Sequence, residues 1–217
     1  MKRIARGAAL FAGCATASVP LLAACGTGQS PGHPSAARLT AAVLSTRDLP
    51  SDFLPAEDQQ VFGRLVPGDP DCRRLLGLAD LRGLRGVPET ASVFYRPNPG
   101  STLAEHILVL PPAKISTYLR DIRRAAAACS VMNLHALRLH RKTLHTPGYG
   151  VRYVGRAGSR YVAHYDIVAL SDRERLLVVA QPTLVDPDHA RRGEDTGAVA
   201  AAALRKLRAT PGITLSP

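Results

Sequence analysis

Tyr161-Val162-Ala163-His164-Tyr165-Asp166-Ile167-Val168-Ala169-Leu170, followed through Ser171-Asp172-Arg173 by Arg175-Leu176-Leu177-Val178-Val179-Ala180, is the stretch on which the fold turns. Both runs are crowded with β-branched and aromatic residues, and the polar segment between them has the length of a hairpin connection. Gly155-Arg156-Ala157-Gly158 makes a similar connection back to a strand at 150–154. Before that, 134–144 alternates Leu137 and Leu139 with Arg138 and His140, as a half-exposed strand does. Consecutive strands with no helix between them pair antiparallel.

Outward from this run the pattern changes to helix. Residues 113–129 place Ile115, Leu119, Ile122, Ala126 and Cys129 on one helical stripe. Strands at 91–96 and 102–110 precede it, parted by Pro97-Asn98-Pro99-Gly100, and in the second of them both faces carry apolar residues. Asp71 stands where the cap of a short helix bearing Cys72, Leu75 and Leu76 would be, and Gly83 and Gly86 then form a loop. Ser35 caps a first helix to about Leu44, with Leu39, Ala42 and Val43 inward, and Arg47-Asp48-Leu49-Pro50 ends it. A last helix starts at Asp195 or Thr196, turns Val199, Ala203, Leu204 and Leu207 inward, and stops at Pro211-Gly212. This order predicts an α+β domain: one antiparallel sheet with helices packed on one face.

The N-terminus reads differently. Met1-Lys2-Arg3-Ile4-Ala5-Arg6 is basic, residues 7–24 are apolar and small, and Leu22-Ala23-Ala24-Cys25 closes the run. That is export-signal architecture, and the Leu-Ala-Ala-Cys ending resembles the lipobox of bacterial lipoproteins. The resemblance implies cleavage before Cys25, diacylglycerol on its thiol, and a protein held at the extracytoplasmic face of the cell membrane. A secretory signal with an incidental cysteine and an uncleaved anchor are the alternatives. Residues 1–24 are then a signal peptide, 25–35 a Pro/Gly-rich flexible tether, and 36–217 a single folded domain.

With Cys14 removed and Cys25 acylated, Cys72 and Cys129 are left over. One pair in an exported chain reads as a disulfide, two unpaired buried thiols being the alternative. Two distant cysteines make no metal site, and no cofactor motif is present.

The net charge of +11 falls to +8 without Lys2, Arg3 and Arg6. Export argues against nucleic acid, and no aromatic-basic interleaving suggests a platform for it. The 24 Arg against 4 Lys match the skew of a GC-rich genome, leaving a weak preference for anionic partners such as a wall polymer, with Arg120, Arg123 and Arg124 as candidates.

Signatures of catalysis are sparse. Ser159 lacks the flanking glycines of a nucleophile elbow. The spacing of five between His135, His140 and His145 sends successive rings to opposite faces of a strand. His106 and His189, like the other histidines, could supply a base and read equally as surface or satisfied core residues, and Asp186-Pro187-Asp188 offers too few ligands for calcium. His164 and Asp166 share a strand face and form an acid-base pair or a hydrogen-bonded polar pair.

The tethered start, the helix running into Asp48-Leu49-Pro50-Ser51-Asp52-Phe53, the Asp71-Cys72-Arg73-Arg74-Leu75-Leu76 segment and the Ala-rich helix ending at Cys129 resemble the PknH-type extracellular sensor domain. That family occurs in actinobacteria outside receptor kinases and as free lipoproteins, which implies ligand sensing or binding at the cell envelope. Two function classes follow. One is a non-catalytic module binding an envelope lipid or an envelope protein, with Tyr118, Tyr153, Tyr161 and Tyr165 lining a cleft beside His164 and Asp166. The other is an envelope hydrolase built on His164 and Asp166 or on an unrecognised set.

Overall fold

The computed structural model describes residues 36–50, 52–57, 61–84, 87, 89–97, 100–186 and 196–213. The signal peptide, the tether, Cys25, the Ser35 cap, His189 and the Pro187-Asp188 part of the acidic loop lie outside the described residues. Chain order runs α1 (Ala36–Ala42), a 3-10 turn (Thr46–Asp48), β1 (Leu54–Pro55), α2 (Pro70–Ala79), β2 (Glu89–Arg96), β3 (Ser101–Val109) and α3 (Pro112–Ala128). It continues with β4 (Val131–Leu134), β5 (Leu137–Thr143), β6 (Tyr149–Ala157), β7 (Tyr161–Asp172), β8 (Arg175–Val185) and α4 (Thr196–Ala209). The strands form one open antiparallel sheet in the order β1-β2-β3-β8-β7-β6-β5-β4. The α+β class, the antiparallel sheet, the single domain and the Cys72–Cys129 disulfide are as the sequence predicts.

The helices, expected on one face, cover both. Along β8, Leu176, Val178 and Ala180 point into a core shared with α2 and α3, while Leu177 and Val179 point into a second core shared with α1 and α4. β3 does the same, with Leu108 on the first side and Leu103, Ile107 and Val109 on the second. Strands apolar on both faces need a cover on each side, since an apolar face left in water loses about 25 cal/mol per Å².

Four local expectations shift, the first being that β6 continues through Gly155-Arg156-Ala157, expected as a connection, with Ala157 paired to Tyr161. Asp69, not Asp71, caps α2: its carboxylate accepts the Asp71 and Cys72 N–H groups at 2.8 and 3.0 Å, and Pro70 takes the first helical position. The strand expected at 134–144 is the second arm of a hairpin, in which Val131 faces His140 and Leu134 faces Leu137. β8 runs past Ala180 through Pro182 to Val185. Its ladder to β3 skips from Ser101 opposite Thr183 to Ala104 opposite Ala180, because Pro182 has no N–H to contribute between them.

The disulfide joins the first turn of α2 to the residue after α3, with both sulfurs buried. It fixes the two helices as one layer over the sheet.

Candidate functional site

The α2–α3 layer covers only part of its face of the sheet. Strand alternation and register place one row of side chains across the uncovered end. Leu54 faces Tyr95, Tyr95 faces Thr102, Pro182 faces Tyr165, and Tyr165 faces Tyr153. Next to this row lies a groove of about 390 Å³, floored by Val93, Tyr95, Thr102, Pro182 and Tyr165 and walled by Ala56, Val61, Arg64 and Leu65. Its size falls in the lower range of small-molecule sites, which span about 300–1,000 Å³.

The wall is held from beneath. Phe62 is fully buried, its ring 5.9 Å from that of Tyr165. Its N–H donates to Asp80 Oδ1 at 3.1 Å, at the C-terminal end of α2. Burial pushes the Asp80 carboxyl up, against the Phe62 N–H and the Arg82 guanidinium 3.0 Å from Oδ2. The disulfide-bonded helix layer thus positions the 61–65 turn. The groove offers aromatic and aliphatic surface, the hydroxyls of Tyr95, Thr102 and Tyr165, and one charged group, Arg64.

The residues anticipated for a cleft are divided. Tyr165 lines the groove, and Tyr161, on the same strand face and 40% exposed, stands beyond it. Tyr118 and Tyr153 belong to the core. The Tyr118 hydroxyl donates to the Leu78 carbonyl at 2.7 Å and that of Tyr153 to the Cys129 carbonyl at 2.7 Å. Burial pushes both phenols far above their ordinary range. His164 and Asp166 point to the other face of β7, away from the groove. Tyr95, Arg64, Leu65 and Pro182 were not anticipated. The alternation of Val93 and Tyr95 could have flagged Tyr95, whereas Pro182 reads as a strand end.

On that other face Asp166, 2% exposed, accepts two parallel bonds from Arg152, Nε to Oδ1 at 2.7 Å and Nη2 to Oδ2 at 2.6 Å. The Thr196 hydroxyl, at the start of α4, donates to Oδ2 at 2.6 Å and lies 2.9 Å from the Gln181 side-chain oxygen. Gln181 Nε2 donates to Ser101 Oγ at 3.2 Å, and Ser101 Oγ is 3.0 Å from Thr183 Oγ1. This network ties β6, β7, β8 and β3 to the N-terminus of α4, where a carboxylate also meets the positive end of the helix dipole. His164, opposite Thr183, is lowered by burial first and then by Arg152, against Asp166. His135 lies in the β4–β5 turn, and His140 and His145 are exposed. His106 is buried with Nδ1 3.1 Å from Glu89 Oε1. No group of three or more His, Cys, Asp or Glu side chains among the described residues could hold a metal.

A second cleft of about 390 Å³ lies at the outer edge of β2, between Leu44-Ser45-Thr46 and residues 91–94. Behind it Glu105, fully buried, accepts the Leu44 N–H at 2.6 Å and the Ser92 hydroxyl at 3.0 Å. Burial pushes its carboxyl up to about 7 against those two bonds. Arg120, Arg123 and Arg124 are exposed on α3, with Arg123 over the Tyr149 ring at 5.8 Å.

Among solved structures, the extracellular domain of PknH from Mycobacterium tuberculosis superposes with a TM-score of 0.58 at 13% identity, covering 82% of this chain and 98% of that one. The fold is that of the PknH extracellular domain. CalU16 from Micromonospora echinospora (7% identity, 58% of this chain and 96% of that one) and LpqN, involved in cell envelope biogenesis of Mycobacterium tuberculosis (10%, 62% and 88%), align at a TM-score of 0.28 each, too low to carry an argument. No family model and no curated relative matches the sequence. At that identity the likeness concerns architecture alone. No helix among the described residues is long and apolar enough to cross a membrane.

Proposed function

We propose that this chain is an envelope lipoprotein, held at the extracytoplasmic face of the cell membrane by diacylglycerol on Cys25 and by the 25–35 tether, and that its 36–217 domain is a non-catalytic binding module. The groove between the 61–65 turn and the open end of the sheet takes an apolar or amphiphilic envelope molecule. The observation that carries this reading is the Tyr95, Thr102, Pro182 and Tyr165 floor, which has no helix over it among the described residues, whereas the α2–α3 layer covers the Leu176, Val178 and Ala180 end of the same face. The signal-like N-terminus, the disulfide and the shared fold of a kinase's extracellular domain support the location.

Use of His164 and Asp166 as a hydrolytic pair is disfavoured by geometry. Both Asp166 oxygens already serve Arg152 and Thr196, so the carboxylate is committed to the sheet and the start of α4 and does not reach a substrate.

Mass spectrometry of the protein purified from its own membranes tests both parts of the reading. The expected result is a Cys25 peptide carrying diacylglycerol and a co-purifying lipid-like molecule that is lost in the groove-filling variant Thr102→Trp. An unmodified Cys25 removes the anchor. A ligand retained unchanged by Thr102→Trp removes the groove, and a captured protein or anionic polymer replaces the lipid as partner.

A further inference from the structure

Five large apolar side chains stand out in water among the described residues: Leu54 (54% exposed), Val66 (73%), Tyr95 (45%), Tyr161 (40%) and Leu184 (42%). They are not scattered. Leu54 pairs with Tyr95, Leu184 is two residues beyond Pro182, and Tyr161 is four residues before Tyr165, so alternation puts all four on the groove face at its uncovered end. Val66 follows Leu65 of the groove wall. With strands about 4.8 Å apart, the span from β1 to β7 makes this patch roughly 20 Å across. A contiguous exposed apolar patch of that kind marks an interaction surface.

Charge and tether select the occupant. Arg64 stands in the groove wall, exposed and with no hydrogen bond or ion pair among the described residues. Arg160 lies over the Tyr161 ring at 5.6 Å, 71% exposed, its carboxylate contact among the described residues being Asp186 at 3.4 Å, which is itself only 16% exposed. Tyrosine, leucine and arginine side by side suit the boundary between acyl chains and headgroups, where an amphipathic ring sits across the two media and a cation meets lipid phosphate. The 11 residues of the tether span at most about 36 Å, so a Cys25-anchored domain stays within reach of the bilayer with any of its faces.

We infer that the open end of the sheet docks on an anionic lipid surface, with Leu54, Tyr95, Tyr161, Leu184 and Val66 at interfacial depth and Arg64 and Arg160 on headgroups. The groove then opens onto the bilayer. This inference rests on the anchored-module reading and adds to it the orientation of the domain.

The test is sedimentation with vesicles of the chain starting at Gly26, which lacks the acyl site and keeps the whole compact unit Pro31–Pro217. The chain is expected to partition onto phosphatidylglycerol-containing vesicles, less as salt rises. Arg64→Gln with Arg160→Gln lowers that partition about twenty-fivefold, at about fivefold per arginine near a charged surface, and changes little on neutral vesicles. Tyr161→Ser with Leu184→Ser lowers it roughly tenfold or more on either vesicle, with the thermal unfolding of each variant showing that it is folded. Replacing Arg120, Arg123 and Arg124 on α3 by Gln changes it less than twofold. The inference is overturned by no partition at all, by partition that ignores Tyr161 and Leu184, by dependence on the α3 arginines instead, or by a dimer that these patch changes dissolve. Uptake of a soluble monomeric fatty acid probe and the mass of the Cys25 peptide report separately on the groove and the anchor, so failure of docking is distinguishable from failure of either.

Discussion

At Asp166 one residue holds together elements that are far apart in sequence. Replacing it with Asn removes the charge that the Arg152 guanidinium meets through two parallel bonds and weakens the Thr196 bond at the start of α4. Breaking one side of a buried pair costs about 3 kcal/mol. Urea unfolding of Asp166→Asn should show that loss, and the double change Arg152→Met with Asp166→Leu should recover much of it, because paired charges repay little of their own desolvation. Glu105 gives the opposite pH behaviour to a paired carboxylate. Its folded value of about 7 lies above the ordinary value of 4.5, so between those limits the folded state holds a proton that the unfolded state has released. Its contribution to stability is complete below about pH 4.5 and is lost as pH rises through 7, at up to about 1.4 kcal/mol per pH unit. Glu105→Gln should flatten that slope in unfolding measured from pH 4.5 to 8. The shared face of His164 and Asp166 was legible from the period of two. Arg152 was not, since only the β6–β7 register brings it opposite Asp166.

Among the elements, the α2–α3 pair depends most on a covalent link. The cross-link closes a separation of 57 residues, which corresponds to about 4 kcal/mol of lost unfolded-state entropy. Reduction should therefore lower the melting temperature, and the groove wall should loosen with it, because Phe62 is hung from Asp80 at the end of α2. The β5–β6 contact has a different requirement. A Cβ on Gly155 would stand 2.1 Å from the Arg138 carbonyl oxygen and 2.9 Å from Leu139 Cδ2. Backbone cannot yield that distance cheaply, so Gly155→Ala should cost at least about 2 kcal/mol in chemical unfolding. The long helices α3 and α4 were readable from a single clear period, and the β6–β7–β8 meander from runs rich in β-branched and aromatic residues parted by short polar connections. The β4–β5 hairpin was not, since Val131-Met132 follows Cys129 too closely to separate from the helix by pattern. Coverage of both sheet faces was half written in β3 and β8, whose two faces are equally apolar.

For the whole molecule, two cores meet back to back across β3, β8 and β7. Those strands should exchange their amide protons most slowly, and α1 and β4 most quickly, in native-state exchange followed by mass spectrometry. The position of the groove could not be read from the sequence, because it depends on where the helical cover stops rather than on any motif. The two ends of the sheet matter in another respect. β1 is two residues long and includes Pro55, and β4 is four residues long. An open sheet of eight strands with long, flat borders would invite a neighbour's strand to continue it, and neighbours of neighbours to form fibres. Stunted borders deny that template. Replacing Pro55 with Val and lengthening β1 would convert a discrete particle into a building block, so the brevity of this strand guards solubility at high local concentration.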